Sequence, residues 1–131
     1  MAKTFNELIA WQLADDVERF VAQMVRHSAV ARDYAFCRQA LDAAASGPRN
    51  IAEGFGRFAP TEFAHFLRIA IGSEQETKNH ILKAWQRGAL DDEGRDVGLL
   101  LVKRAVTAAV RLRSYLLTSA AKTNARRIEN L

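Results

Sequence analysis

The chain has 131 residues, 49% of them hydrophobic and 26% charged, and a formal charge of +4. That length is one domain's worth, and this apolar share excludes a disordered polyelectrolyte. A single cysteine, Cys37, excludes an internal disulfide, residues 1–6 carry no basic-then-apolar leader, and wholly apolar runs such as Leu99–Val102 are far too short to cross a bilayer.

A cytoplasmic protein with no membrane role is therefore expected. Few aromatics and abundant alanine favour helices, and no strand-like alternation of useful length occurs. The spacing predicts four helices. The first spans about Phe5 to His27, with Thr4 and Glu7 at capping-box spacing. Its inward stripe is Phe5, Leu8, Ile9, Leu13, Val17, Phe20, Val21 and Met24. Trp11 falls off that stripe, on a face with Glu7, Asp15 and Glu18, and tryptophan on a charged face points to an interface.

The second helix starts near Arg32 or Asp33 and runs through Gln39 and Leu41 into Ser46-Gly47-Pro48-Arg49-Asn50-Ile51-Ala52-Glu53-Gly54-Phe55-Gly56-Arg57. Glycine and proline cost about 1 to 3 kcal/mol each inside a helix, so this run needs a kink, a close crossing or a partner. Pro48 is expected to break or bend the helix, which resumes with Glu53 and Arg57 four apart. The third helix begins at Pro60, carries Phe63, Phe66, Leu67, Ala70, Thr77, Ile81 and Trp85 inward, and ends at Gly88. The fourth has Asp91 as N-cap, Asp92 and Glu93 in its first turn, and reaches about Ser119. Short connections make neighbours antiparallel. The fold class is thus all-α, an up-down-up-down four-helix bundle over residues 1–119 with the second helix kinked near Gly47-Pro48, and residues 120–131 as a basic tail.

Two apolar stripes mark the fourth helix. One is Leu99, Val102, Val106, Val110 and Leu117; the other is Leu101, Ala105, Ala108, Leu112 and Tyr115. They imply either contacts on two sides, hence a second subunit, or one wide face within a small bundle. Charge is also uneven. Residues 1–99 hold 12 Lys and Arg against 14 Asp and Glu, whereas residues 100–131 hold Lys103, Arg104, Arg111, Arg113, Lys122, Arg126 and Arg127 against Glu129 alone. That asymmetry points to an acidic partner, nucleic acid foremost, or to a solvated face. Arg113 lies nearer the Val106/Val110 stripe and is expected to pair with an acid, which leaves the other six to contact phosphates.

Enzyme chemistry finds little support. Gly54-Phe55-Gly56-Arg57 lacks the preceding strand and the Gly-Lys-Ser/Thr ending of a phosphate loop; its glycines are expected to permit a backbone turn and close packing at a bundle end. A di-metal site needs two Glu-x-x-His motifs. Glu62 and His65 give one, His80 follows Glu76 by four, and His27 sits near a helix end, so neither a metal nor a cofactor is expected. Cys37 has no neighbouring histidine, and Ser46 and Ser73 lack a base. Of Asn50, Glu53, Ser73 and Glu76, either some form a buried or interfacial hydrogen-bond network that fixes helix register, or all make ordinary surface pairs.

Trp11-Gln12 with Ala14, Gln39, Ser46, Pro48, Asn50-Ile51-Ala52-Glu53-Gly54, Phe55-Gly56-Arg57, Glu62-Phe63, Phe66-Leu67, Ile69-Ala70, Gly72-Ser73, Glu76 and Arg87-Gly88-Ala89-Leu90 together resemble the bacterial four-helix bundle family named for the 23S ribosomal RNA intervening-sequence protein. The resemblance covers roughly residues 5–118. It implies a closed ring, commonly a pentamer, and no enzymatic activity. A related group, the accessory variability determinant of diversity-generating retroelements, binds nucleic acid and a reverse transcriptase, so RNA or DNA and such a protein are the partners implied. The chain departs from the pattern at Leu41 and Asp42, where the family carries basic charge, at Gly47, where it has isoleucine, and in the proline missing from His27 to Asp33. The first departure removes basic charge from the second helix and weakens transfer of a nucleic-acid role to this chain: either the basic fourth helix compensates, or the chain binds no nucleic acid. The reading is a non-enzymatic homo-oligomeric binding or scaffold protein using the basic fourth helix and tail, against a protein-binding adaptor with no nucleic-acid role.

Overall fold

The computed structural model describes residues 2–118 and 120–122. Four helices, α1 (Ile9–Met24), α2 (Tyr34–Phe55), α3 (Pro60–Gln86) and α4 (Asp92–Leu116), account for most of them, with no strand among the described residues. α1 and α3 each pack on both α2 and α4, and the diagonal pair α1/α3 meets only briefly. Consecutive helices joined by short turns thus close an up-down-up-down bundle.

The caps explain most of the boundaries. Asp33 Oδ1 accepts the Phe36 N–H at 3.1 Å and Asp91 Oδ1 the Gly94 N–H at 2.7 Å, each satisfying a free donor of the first turn. Pro60 opens α3 at a position that needs no N–H. α3 ends where Gly88 turns to φ +86, and the N–H groups of Gly88 and Ala89 return to the carbonyls of Trp85 and Ala84. Trp85 Nε1 donates to Asp92 Oδ1 at 2.9 Å and the Arg95 guanidinium lies 4.4 Å from the Trp85 ring, so the α3–α4 turn is held from both sides.

Several boundaries and stripes differ from expectation. α1 begins at Ile9, not Phe5, because Leu8 is extended and Phe5–Glu7 forms a separate 3-10 turn. Thr4 makes no capping bond, and Glu7 instead accepts the Lys3 N–H at 2.7 Å. The turn is held by tertiary contact: Phe5 meets Trp11 edge-on at 5.3 Å, so Trp11 is partly covered by its own chain. Phe5 and Ile9 are exposed rather than inward, while Ala10 and Ala14 are buried. α2 runs unbroken through Pro48. Its burial within the bundle outweighs the missing N–H. In the α2–α3 connection the left-handed residue is Phe58 (φ 57), not Gly56 (φ −69). On α4 the buried line is Gly98, Val102, Ala105, Ala109 and Leu116, which falls between the two expected stripes. Leu101, Ala108 and Leu112 are half-buried flanks of this one face, so that ridge is largely covered within the subunit.

The core has two apolar halves. One contains Val17, Val21, Ala44, Ile81, Val102 and Ala105; the other contains Ala14, Ile51, Leu67, Ala70 and Ala109. On α2 and α3 the residues between these halves are polar or small: Ser46, Gly47, Ser73, Glu74 and Thr77. A polar waist therefore separates the halves on the α2–α3 side of the bundle.

Candidate functional site

Two places bring the singled-out residues together: the waist on the α2–α3 side and a groove on the α1–α4 side. At the waist, Asn50 donates to Ser46 O (2.8 Å) and Ser46 Oγ (2.9 Å). Ser46 Oγ and Ser73 Oγ lie 2.7 Å apart, and Ser73 Oγ donates to Ile69 O at 3.1 Å. The Ser73 proton is used on Ile69, so the chain runs one way, from Asn50 to Ser46 to Ser73 to Ile69. Thr77 Oγ1 adds a bond to Ser73 O at 2.8 Å. Glu53 and Glu76 stay outside this chain. Glu53 pairs with Arg57 at 2.7 Å on the surface, with Arg57 also 5.3 Å from the Phe66 ring, and Glu76 is exposed, 3.8 Å from His80 Nε2.

The glycines of the matched motifs differ in reason. A β-carbon on Gly54 would lie 2.8 Å from both Phe63 Cδ1 and Phe66 Cβ, so this glycine permits the close α2–α3 crossing. Gly56 is exposed and a β-carbon there would meet only carbonyls of its own helix, and one on Gly72 would meet no neighbouring element within 4 Å. Gln39 is exposed on α2.

Glu74 is the residue that sequence reasoning missed. It is 2% exposed, and neither carboxyl oxygen has a hydrogen-bond partner. Burial, and then the negative charge of Glu18, push its carboxyl up from 4.5 to about 8, so it is a neutral acid at pH 7. Glu18 is itself raised, by burial and by Asp15, against the pull of Arg49. The available signal was spacing: Glu74 is four residues after Ala70 and seven before Ile81, on the inner stripe.

The second place is the long groove between α1 and α4. Its floor is Leu8, Ile9, Leu13, Leu100, Ala108 and Leu112; Lys103, Arg104 and Arg111 stand along it, and Glu7 lines the same stretch as Arg111. Ile9 is 69% and Leu100 47% exposed. None of the three cations joins an ion pair among the described residues. Lys122 is exposed beyond α4, and Arg126 and Arg127 lie outside the described residues. Arg113, expected to pair with an acid, finds none among the described residues, and its buried Nε has no partner.

Chemically, the waist hydroxyls are committed to carbonyls and to each other, and no three His, Cys, Asp or Glu side chains gather to hold a metal ion among the described residues. No helix is long and apolar enough to cross a membrane among the described residues. The model of the family described as 23S rRNA-intervening sequence protein matches residues 6–105. The chain belongs to this family. No curated protein matches it. The 23S rRNA-intervening sequence protein match takes in the waist, Lys103 and Arg104, and stops short of Arg111 and the tail. Of the basic surface, then, only the first turn of cations lies within the span shared with the family.

Proposed function

We propose that this protein is a non-enzymatic helical scaffold that assembles with copies of itself and holds nucleic acid by its phosphates along α4. The observation that carries the reading is the α1–α4 groove, where three cations without acidic partners border exposed apolar side chains. Lys103, Arg104 and Arg111 can each meet a phosphate at little cost, since no internal pair has to break. Exposed Ile9 and Leu100 give a second copy something to cover. Five copies, the number the family resemblance implies, would repeat the cations around a ring and turn a modest patch into a strong field. Little aromatic surface lies among the cations, so binding is backbone-directed and indifferent to sequence.

A labelled single-stranded RNA and a labelled duplex DNA, titrated over a range of salt, test this. Binding should weaken steeply with salt, and the Lys103→Ala, Arg104→Ala, Arg111→Ala triple variant should flatten that dependence by about two to three charges' worth. Unchanged affinity and slope in the triple variant would overturn it. The apolar floor between the cations favours a second reading, a protein adaptor whose partner presents an acidic amphipathic helix. Tight binding to a protein with no nucleic-acid binding at low salt would decide for the adaptor.

A further inference from the structure

The waist holds a carboxyl that the proposed binding surface does not use. Glu74 lies where α1, α2 and α3 meet. Its Oε1 fills the space that a β-carbon on Gly47 would need, and Ala14 of α1 borders the same space. Gly47 is buried in mid-helix, where glycine costs up to about 1 kcal/mol against alanine. The room it leaves for Glu74 accounts for a glycine at this point. A charged carboxylate without a donor is strongly disfavoured in such a place, and a neutral acid far less so.

The surrounding charges give a carboxylate no help. On α1, the negative charge of Glu18 acts against ionisation. On α2, Arg49 draws on Glu18 and stands 3.8 Å from Asp42, both of them exposed. On α3 itself, His80 is buried with its Nε2 unbonded and 3.8 Å from the exposed Glu76. On the α4 side, Lys103 lines a separate groove between α3 and α4 together with Gln75 and Lys78 of α3. We propose that Glu74, seated against Gly47, is a proton-controlled latch: the three helices close around the neutral acid and loosen when it gives up its proton.

The direction follows from linkage. Between about pH 4.5 and about 8 the folded chain keeps a proton on Glu74 that the unfolded chain has lost. The stability from the protonated latch is full below 4.5 and is lost as pH rises toward 8. The folding equilibrium constant should therefore fall up to about tenfold per pH unit across that window, and level off above it.

Urea unfolding of the wild type and of Glu74→Gln, followed from about pH 5 to about pH 10, reads the ratio of their folding constants. The proposal expects that ratio to fall with pH and then flatten. Parallel curves over the whole range would overturn it. If Glu74→Gln fails to fold, the glutamate carboxyl carbons of the wild type can be titrated by NMR. A glutamate resonance titrating near pH 8 supports the latch; the lack of one overturns it.

Discussion

The hydroxyls of Ser46 and Ser73 meet at 2.7 Å across the seam between α2 and α3. They are the one direct side-chain hydrogen bond that joins those two helices among the described residues. Ser73→Ala leaves Ser46 with no acceptor in a half-buried place and should cost about 1 to 2 kcal/mol, read from the urea midpoint. Glu76→Ala changes an exposed residue whose nearest partner is 3.8 Å away and should cost less than about 0.5 kcal/mol. Equal losses in the two variants would mean that the waist is not organised around the serines.

Gly47→Ala should be destabilising only while Glu74 is present. Its β-carbon would overlap Glu74 Oε1 and sit 3.2 Å from Cδ. With Glu74→Ala in the background that clash disappears, and alanine's helix preference of up to about 1 kcal/mol should make the change neutral or favourable. The four proteins of the cycle should give a coupling of about 1 to 3 kcal/mol. Additive losses would show that Gly47 is there for another reason.

Local chemistry made much of this fold legible. Asp33, Gly88 and Asp91 each set a helix end through bonds to residues a few positions away, and Pro60 opens α3 where no N–H is needed, so α2, α3 and α4 begin or end near where the sequence indicates. Where distant contacts decide, the sequence is silent. Phe5 belongs to a separate turn because Trp11 holds it there, and Pro48 stays helical because the bundle buries it. The spacing put Glu74 on the inner stripe of α3, but that a carboxyl fits there depends on the missing side chain of Gly47, 27 positions earlier. The cations of α4 were legible as residues. That Lys103, Arg104 and Arg111 border an apolar groove emerges only when α1 is laid against α4.

Gly54 and Gly72 should respond oppositely to alanine. At Gly54 the new β-carbon would sit 2.8 Å from Phe63 and Phe66, so the crossing must open and stability should fall by about 1 to 3 kcal/mol. At Gly72 no neighbouring element comes within 4 Å and the backbone is helical, so alanine should stabilise the subunit by up to about 1 kcal/mol. Thermal melting of the two variants checks both signs. A Gly72→Ala protein that is more stable yet smaller in solution mass would place this face at a contact between copies.

Ile9→Asp and Leu100→Asp test the groove as a subunit contact. Both side chains are exposed in the isolated subunit, so a charge there should move its stability by no more than about 0.5 kcal/mol. In an assembly that covers the groove, the same carboxylates would lose their water beside Lys103, Arg104 and Arg111, and that desolvation together with the loss of two apolar contacts should weaken the contact. Light scattering on the double variant should therefore report a lower mass than the wild type, with helical content and the unfolding midpoint of the dilute subunit unchanged. A wild type that is monomeric at every concentration, or a double variant of undiminished mass, would leave Ile9 and Leu100 facing water and remove the groove from the assembly.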